Sequence, residues 1–374
     1  MRATLVLTIC AACSFSPSQA TVSDGGIDSV DAPPDTVRPD GAEGSARRKQ
    51  LSIDDTKVTG AQTAFPVWIV VADAAGLGAR ALADGSDLYF TLPDGTPLEW
   101  ERVAWDQPSG HLEAWVRLDL ADTTRTDFEL RYGDPGPAHA PNAAQVWTNG
   151  FAAVWHLDQL AATTPDAAGE RAGTAVGINT ANKVPGTLAG GVEFAGANQE
   201  ITFANPITGG GAHTFSAWVK VAAPANGFSS ILTLGNPMGN QARWWHTNFP
   251  DVSLGFFGGD WTTSGVNIDG AGPTLMHWVF DPGTDRSQLF RNGQLVGTSP
   301  VHGNAKNTQG ATGHIANAPL PFGPGGNAPN PLAGVLDEVR IATTVRTAGW
   351  IATEHANQSS PATFYTVGPD QAAP

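Results

Sequence analysis

The chain has 374 residues, 41% of them hydrophobic and 15% charged, with a net charge of −15 and two cysteines. An acidic chain whose one basic run is Arg47-Arg-Lys49 is not built for nucleic acid, because phosphate binding needs clustered Lys and Arg. Two cysteines, Cys10 and Cys13, cannot make a thiolate zinc cluster, and no segment is apolar for long enough to span a bilayer as a helix.

The first segment joins Arg2 to a short apolar run ending Ala11-Ala12-Cys13. This resembles a bacterial lipoprotein signal, with 1–12 removed and Cys13 lipidated. Export across the inner membrane and anchoring in the outer membrane follow, with Ser14 rather than an Asp after the Cys. Ordinary secretory cleavage after Ser18-Gln-Ala20 is the alternative. Lipidation leaves no thiol for a disulfide, so the folded part depends on core burial. Residues 13–46 are rich in Asp, Pro, Ser and Gly and have almost no large apolar residues. Such a segment cannot bury enough surface to fold and reads as a disordered acidic tether.

From 47 to 147 the pattern is short strands and turns. Phe65-Pro-Val-Trp-Ile-Val-Val71 reads as a central strand, and Pro93-Asp-Gly95 as a turn. Leu112, Ala114, Val116 and Leu118 alternate with Glu113, Trp115 and Arg117, and Phe128, Leu130 and Tyr132 with Glu129 and Arg131. That is a β-sandwich rhythm. Trp115 falls on the polar face, which suits a domain–domain contact. Lys49-Gln-Leu-Ser-Ile53, Ala83-Asp-Gly-Ser-Asp-Leu-Tyr-Phe90 and Leu130-Arg-Tyr-Gly133 resemble the bacterial domain of unknown function 2341. That resemblance implies a secreted context and no defined reaction.

Residues 151–368 form the second expected domain. Trp155-His-Leu-Asp158, Thr214-Phe-Ser-Ala-Trp-Val-Lys-Val221, Leu332-Ala-Gly-Val-Leu-Asp-Glu-Val-Arg-Ile341 and Asn357-Gln-Ser-Ser-Pro-Ala-Thr-Phe-Tyr-Thr-Val-Gly368 carry a resemblance to the laminin-G-like, concanavalin A-like jelly roll. The resulting fold class is all-β, two β-sandwich domains after the tether. The stretch before Gly191 reads as a long surface loop, and Pro319–Pro331 as a non-regular one.

Glycanases on this fold need two carboxylates flanking the scissile bond. The most acidic strand offers Asp337 and Glu338, and adjacent strand residues point to opposite faces. No other motif for hydrolysis or phosphate binding is present, so no catalytic residue is assigned. Asp337 should share the apolar face of Val335, Val339 and Ile341. A structural bond to a loop, Arg340 or Arg346 is the first reading, with Ca²⁺ as the one cofactor to consider.

Binding is better supported. Trp244 and Trp245 are adjacent, so in a strand they cannot share a face. With His246, Asn248, Asp251, Asp260 and Trp261 they form a candidate platform for stacking a sugar ring or anchoring a protein. The function expected is cell-surface recognition or adhesion without catalysis. Its partner is a glycan or an extracellular protein, and the membrane is reached through the lipid. A glycan hydrolase and a structural spacer are the alternatives.

Overall fold

The computed structural model describes residues 46–134, 139–196, 198–222, 228–248, 251–257, 259–263, 265–268, 270–318 and 329–373. Cys13, the signal segment and nearly all of the tether therefore lie outside the described residues, as does most of the Pro319–Pro331 loop. The described chain is a β protein with a few short helices.

The first sandwich follows the alternation read from the sequence. One sheet orders Gln62–Ala72, His111–Leu120 and Trp100–Asp106. The other is built on Arg47–Ile53, Thr126–Tyr132 and Tyr89–Thr91. Leu51, Ile53, Val67, Ile69, Leu112, Val116, Phe128 and Leu130 fill the space between them. The second of these sheets is completed from the far end of the chain. Tyr365–Val367 and Gln371–Ala372 both pair antiparallel with Arg47–Ile53. The closing strand expected within the second domain thus belongs to the sheet of the first.

The second sandwich has two eight-stranded sheets. In one, the strand Ala333–Ala342 pairs with His213–Val221 on one side and with Gly190–Ala195 and Phe151–Trp155 on the other. The other contains Phe228–Gly235, Ala242–Asn248, Asp251–Gly255 and Thr312–Ile315. Trp155, Phe215, Trp245, Leu254, Trp278 and Ile341 lie in the core between them. Part of the stretch expected as a long loop before Gly191 forms short strands, Thr163–Thr164, Gly173–Val176 and Lys183–Pro185.

Between the sandwiches lies a third apolar cluster that includes Trp68, Trp115, Trp147, Val154, Trp218 and Leu275. The helix Ala348–Ser359, capped by Thr347 whose side chain accepts from the Trp350 N–H, sits beside it. It serves both halves. Trp350 and Ile351 complete the core of the first sandwich. Asn357 covers the free edge of Gln62–Ala72: the Trp68 N–H donates to Asn357 Oδ1 at 2.7 Å, and Asn357 Nδ2 donates to the Trp68 carbonyl at 3.0 Å. Tyr365 repeats the device, its hydroxyl accepting from the Val70 N–H at 2.6 Å. An edge strand left bare would offer its amides to another chain.

Two measurements check this arrangement. Asn357→Ala strands a buried N–H and a buried carbonyl, and should lower the unfolding free energy in urea by about 2–3 kcal/mol. Because the first core needs Trp350, Ile351 and Phe364, both sandwiches should melt in one transition; two resolved steps would contradict the shared core.

Candidate ligand-binding site

The adjacent indoles separate as strand geometry requires. On Ala242–Asn248, Trp245 enters the core with 0% exposure, while Ala242, Trp244 and His246 lie on the outer face. That outer face is nonetheless covered. Trp244 is 8% exposed and His246 0%. Ala318 packs on Ala242, and the Ser230 N–H donates to the Asn330 carbonyl at 3.0 Å. The exposed platform expected around both indoles is therefore absent: one is core and the other is almost fully buried. His246 is mid-strand, within Ala242–Asn248.

The remaining candidates do not converge with them. Trp261 is half-buried on a short strand and seals the edge of the core. Asp251 accepts from the Gly265 N–H at 2.6 Å. Asp260 is exposed and sits against Gly255, where a Cβ would come within 2.2 Å of its carboxylate. The Asn248 backbone pairs with Phe228 and Asp251, and its side chain lies outside the described residues.

What the outer face does assemble is a polar wall. Register places Ser230, His246 and Ser253 in one row, and Thr202, His314, Thr233 and Trp244 in the next. A register shift between Ser230 and Leu232 lets Ser230 and Thr233 face the same way, 2.9 Å apart through their hydroxyls. Sequence reasoning missed these small polar residues. Their period-two placement between Ile201 and Phe203 or before Ile315 was the available signal. The wall is incompletely satisfied. Trp244 Nε1, both ring nitrogens of His246, Asn317 Oδ1 and Asn330 Nδ2 have no hydrogen-bond partner among the described residues. Native interiors leave few such groups, and each costs about 1–3 kcal/mol of desolvation. Burial pushes His246 down to about 3, so its ring is neutral at physiological pH. At the end of the wall, His314 Nδ1 lies 2.8 Å from Glu200.

Asp337 and Glu338 also depart from expectation. Ser216 pairs with Arg340 but Trp218 pairs with Asp337, so the strand carries an extra residue, and Glu338 adopts φ 54°. This β-bulge turns both carboxylates away from the core, Glu338 toward the first sandwich and Asp337 toward the turn at Gly186, where opposite faces were expected. They still make no hydrolytic pair. Glu338 is held by His156 Nδ1 at 2.7 Å and Arg340 Nη2 at 2.6 Å, deep in the interface. Burial works against the Glu338 charge, yet His156 and Arg340 hold it below the usual carboxylate range. Asp337 Oδ2 accepts from the Thr187 and Leu188 N–H groups, the loop bond preferred from sequence. No group of three or more His, Cys, Asp or Glu among the described residues is placed to hold a metal ion.

These features define a two-sandwich β protein whose C-terminal unit is a concanavalin A-like domain. Residues 195–352 match the family described as the concanavalin A-like lectin/glucanases superfamily. No curated protein matches the chain. Among solved structures, the binding domain of paraclostridial mosquitocidal protein 1 is 13% identical, with TM-score 0.42, covering 55% of this chain and 52% of that one. Trypanosoma rangeli sialidase is 13% identical, with TM-score 0.43, covering 67% and 42%. Domain 4 of an extracellular arabinanase from Geobacillus stearothermophilus, solved with arabinotriose, is 15% identical, with TM-score 0.40, covering 55% and 98%. The chain thus spans about half of the toxin domain and less than half of the sialidase.

A pH dependence follows. His246 has a folded value near 3 against 6.5 unfolded, so the unfolded chain takes the proton first and stability falls as pH drops from 6.5 toward 3. Glu354, opposed by burial but pulled by His277 and Arg340 to about 2, adds stability above 4.5 that is lost between 4.5 and 2. His156 runs the other way. Burial opposes its charge, but Glu338 and Glu101 hold it well above 6.5, so its contribution is complete in acid and fades as pH rises through the folded value. His246→Phe should therefore flatten the stability profile between pH 6.5 and 3 by up to about 1.4 kcal/mol per pH unit. An unchanged slope in urea titrations would show that His246 is not the proton-refusing group.

Proposed function

We propose that the protein is a non-catalytic recognition module whose concanavalin A-like domain binds a glycan, with an extracellular protein as the other class of ligand. The observation that carries this reading is the polar wall. Trp244 and His246 on the sheet, with Asn317 and Asn330 in the segments beside it, carry buried donors and acceptors that have no hydrogen-bond partner among the described residues. A ligand rich in hydroxyl and amide groups supplies the missing bonds, and the indole of Trp244 supplies an apolar face beside them. Trp244, the least buried of these four side chains, is the point of entry. The concanavalin A-like match supports a binding role at the level of fold. Hydrolysis is disfavoured because the adjacent buried carboxylates Asp337 and Glu338 are engaged by backbone and ion-pair partners.

The test pairs affinity with stability. The soluble folded part is screened on a glycan array, and the best ligand is titrated against His246→Phe and Trp244→Phe. His246→Phe should weaken binding by about 1–3 kcal/mol while raising the melting temperature, since an unpartnered buried imidazole is removed. Raised stability with unchanged affinity would place the ligand elsewhere, and sugar release from the array would restore the hydrolase reading.

The same proposal includes export and lipidation at Cys13. The Ala11-Ala12-Cys13 pattern motivates it. Cys13→Ala should move the protein from the membrane fraction to the soluble one. A variant still membrane-bound at full length would defeat the lipoprotein reading.

A further inference from the structure

Asp337 has a setting that neither the interface nor the polar wall uses. The turn between Lys183–Pro185 and Gly190–Ala195 folds over its carboxyl, and Oδ2 takes the Thr187 N–H at 2.7 Å and the Leu188 N–H at 2.8 Å. Gly186 makes the approach possible, since a Cβ there would lie 2.6 Å from Oδ2. Asp337 is only 2% exposed, and its Oδ1 has no hydrogen-bond partner among the described residues. The same residue lines a cavity of about 290 Å³ with apolar walls from Val184, Pro185, Trp218 and Val335, and with Glu193 and Lys220 at the solvent side.

We propose that this cavity binds a primary ammonium group carried on a short apolar stem, with Asp337 Oδ1 accepting from the ammonium and Trp218 and Val335 enclosing the stem. The chemistry selects this class. An anion is opposed by Asp337 and by Glu193. A polyol would leave most of its hydroxyls facing Val184, Pro185 and Val335, which cannot bond them. A guanidinium fork needs two acceptor lone-pair sets on one edge, but Oδ2 already receives two N–H groups. A compact ammonium needs only the one open oxygen, and the indole beside it favours a cation. Exposed Lys220 is free to turn into solvent. Burial and the neighbouring Glu338 hold Asp337 well above the usual carboxylate range despite its two N–H bonds. A bound cation opposes that shift, so binding favours the charged carboxylate and releases any proton Asp337 holds when the cavity is empty.

The ammonium could be a free alkylamine or a lysine side chain of a peptide, and the experiment separates the two. The folded protein is titrated with n-butylammonium, with n-butanol and butyrate as controls of the same length, and with Nα-acetyl-lysine amide, by amide NMR and by calorimetry in two buffers. Saturable shifts at Thr187 and Leu188 with n-butylammonium but not n-butanol, and buffer-dependent heat from proton release, are expected. Binding of both amines identifies a small-amine pocket; binding of the lysine amide alone identifies a peptide pocket. Asp337→Asn, which keeps an oxygen for the two N–H groups, should weaken binding by about tenfold or more. Should that variant fail to fold, Val184→Trp, at a partly exposed wall position, should block the cavity and abolish binding. Equal binding of n-butanol, no saturable binding of either amine, or undiminished affinity in Val184→Trp or a folded Asp337→Asn would overturn the proposal. None of these outcomes touches the Trp244–His246 wall.

Discussion

Arg340 is the residue on which the two-sandwich arrangement depends. Its guanidinium lies 4.6 Å from the Trp115 ring and 4.8 Å from the Trp147 ring, both from the first half of the chain. It donates to Glu338 at 2.6 Å and to Glu354 at 2.7 Å. The network continues outward on both sides. Glu338 meets His156, whose other nitrogen is 3.2 Å from Glu101, and Glu354 meets His277 at 3.1 Å. A charge taken out of water is tolerable only when such partners are complete. Here they come from a strand, a helix and both sandwiches, so the halves fit in one relative placement. Apolar contact among Trp68, Trp115, Trp218 and Leu275 supplies the driving force, and the ionic chain supplies the registration.

The bulge at Glu338 makes this possible. Leu336, Val339 and Ile341 all face the core, so without the extra residue no single alternation could hold both Asp337 and Glu338 on the outer side. The same bulge frees Asp337 to receive the turn at Gly186. One irregular residue thus sets up both the interface and the acid-floored cavity, at the cost of a left-handed backbone at a non-glycine position.

Much of the architecture was legible in the sequence because it rests on period-two burial. The alternation from Leu112 to Leu118 was assigned correctly, as was the odd position of Trp115. The rule that Trp244 and Trp245 must diverge also held. What the rule could not supply was the fate of the outward indole, because the cover arrives from Ala318 and Asn330, distant in sequence. Opposite faces for Asp337 and Glu338 failed for a related reason. A bulge is defined by the partner strand, so nothing within Leu332–Ile341 announces it. Ser230, Thr233 and His314 were passed over because small polar residues on a strand read as solvent-facing until register brings them together.

The pairing of Arg47–Ile53 with Tyr365–Val367 and Gln371–Ala372 bears on how the chain acquires its structure during synthesis. The Ala373 N–H donates to the Ala46 carbonyl at 2.8 Å, so the two ends of the folded body emerge side by side. The strand Arg47–Ile53 lacks one neighbour until Tyr365–Val367 has been synthesised. Until then its edge is open, and the core that needs Trp350 and Phe364 is unfilled. Contacts of such sequence separation close slowly, because the loop entropy is lost before the contact is gained. The nascent first half is therefore an incomplete sheet waiting for its other margin, and a chain cut before Tyr365 loses the closure of its first sandwich.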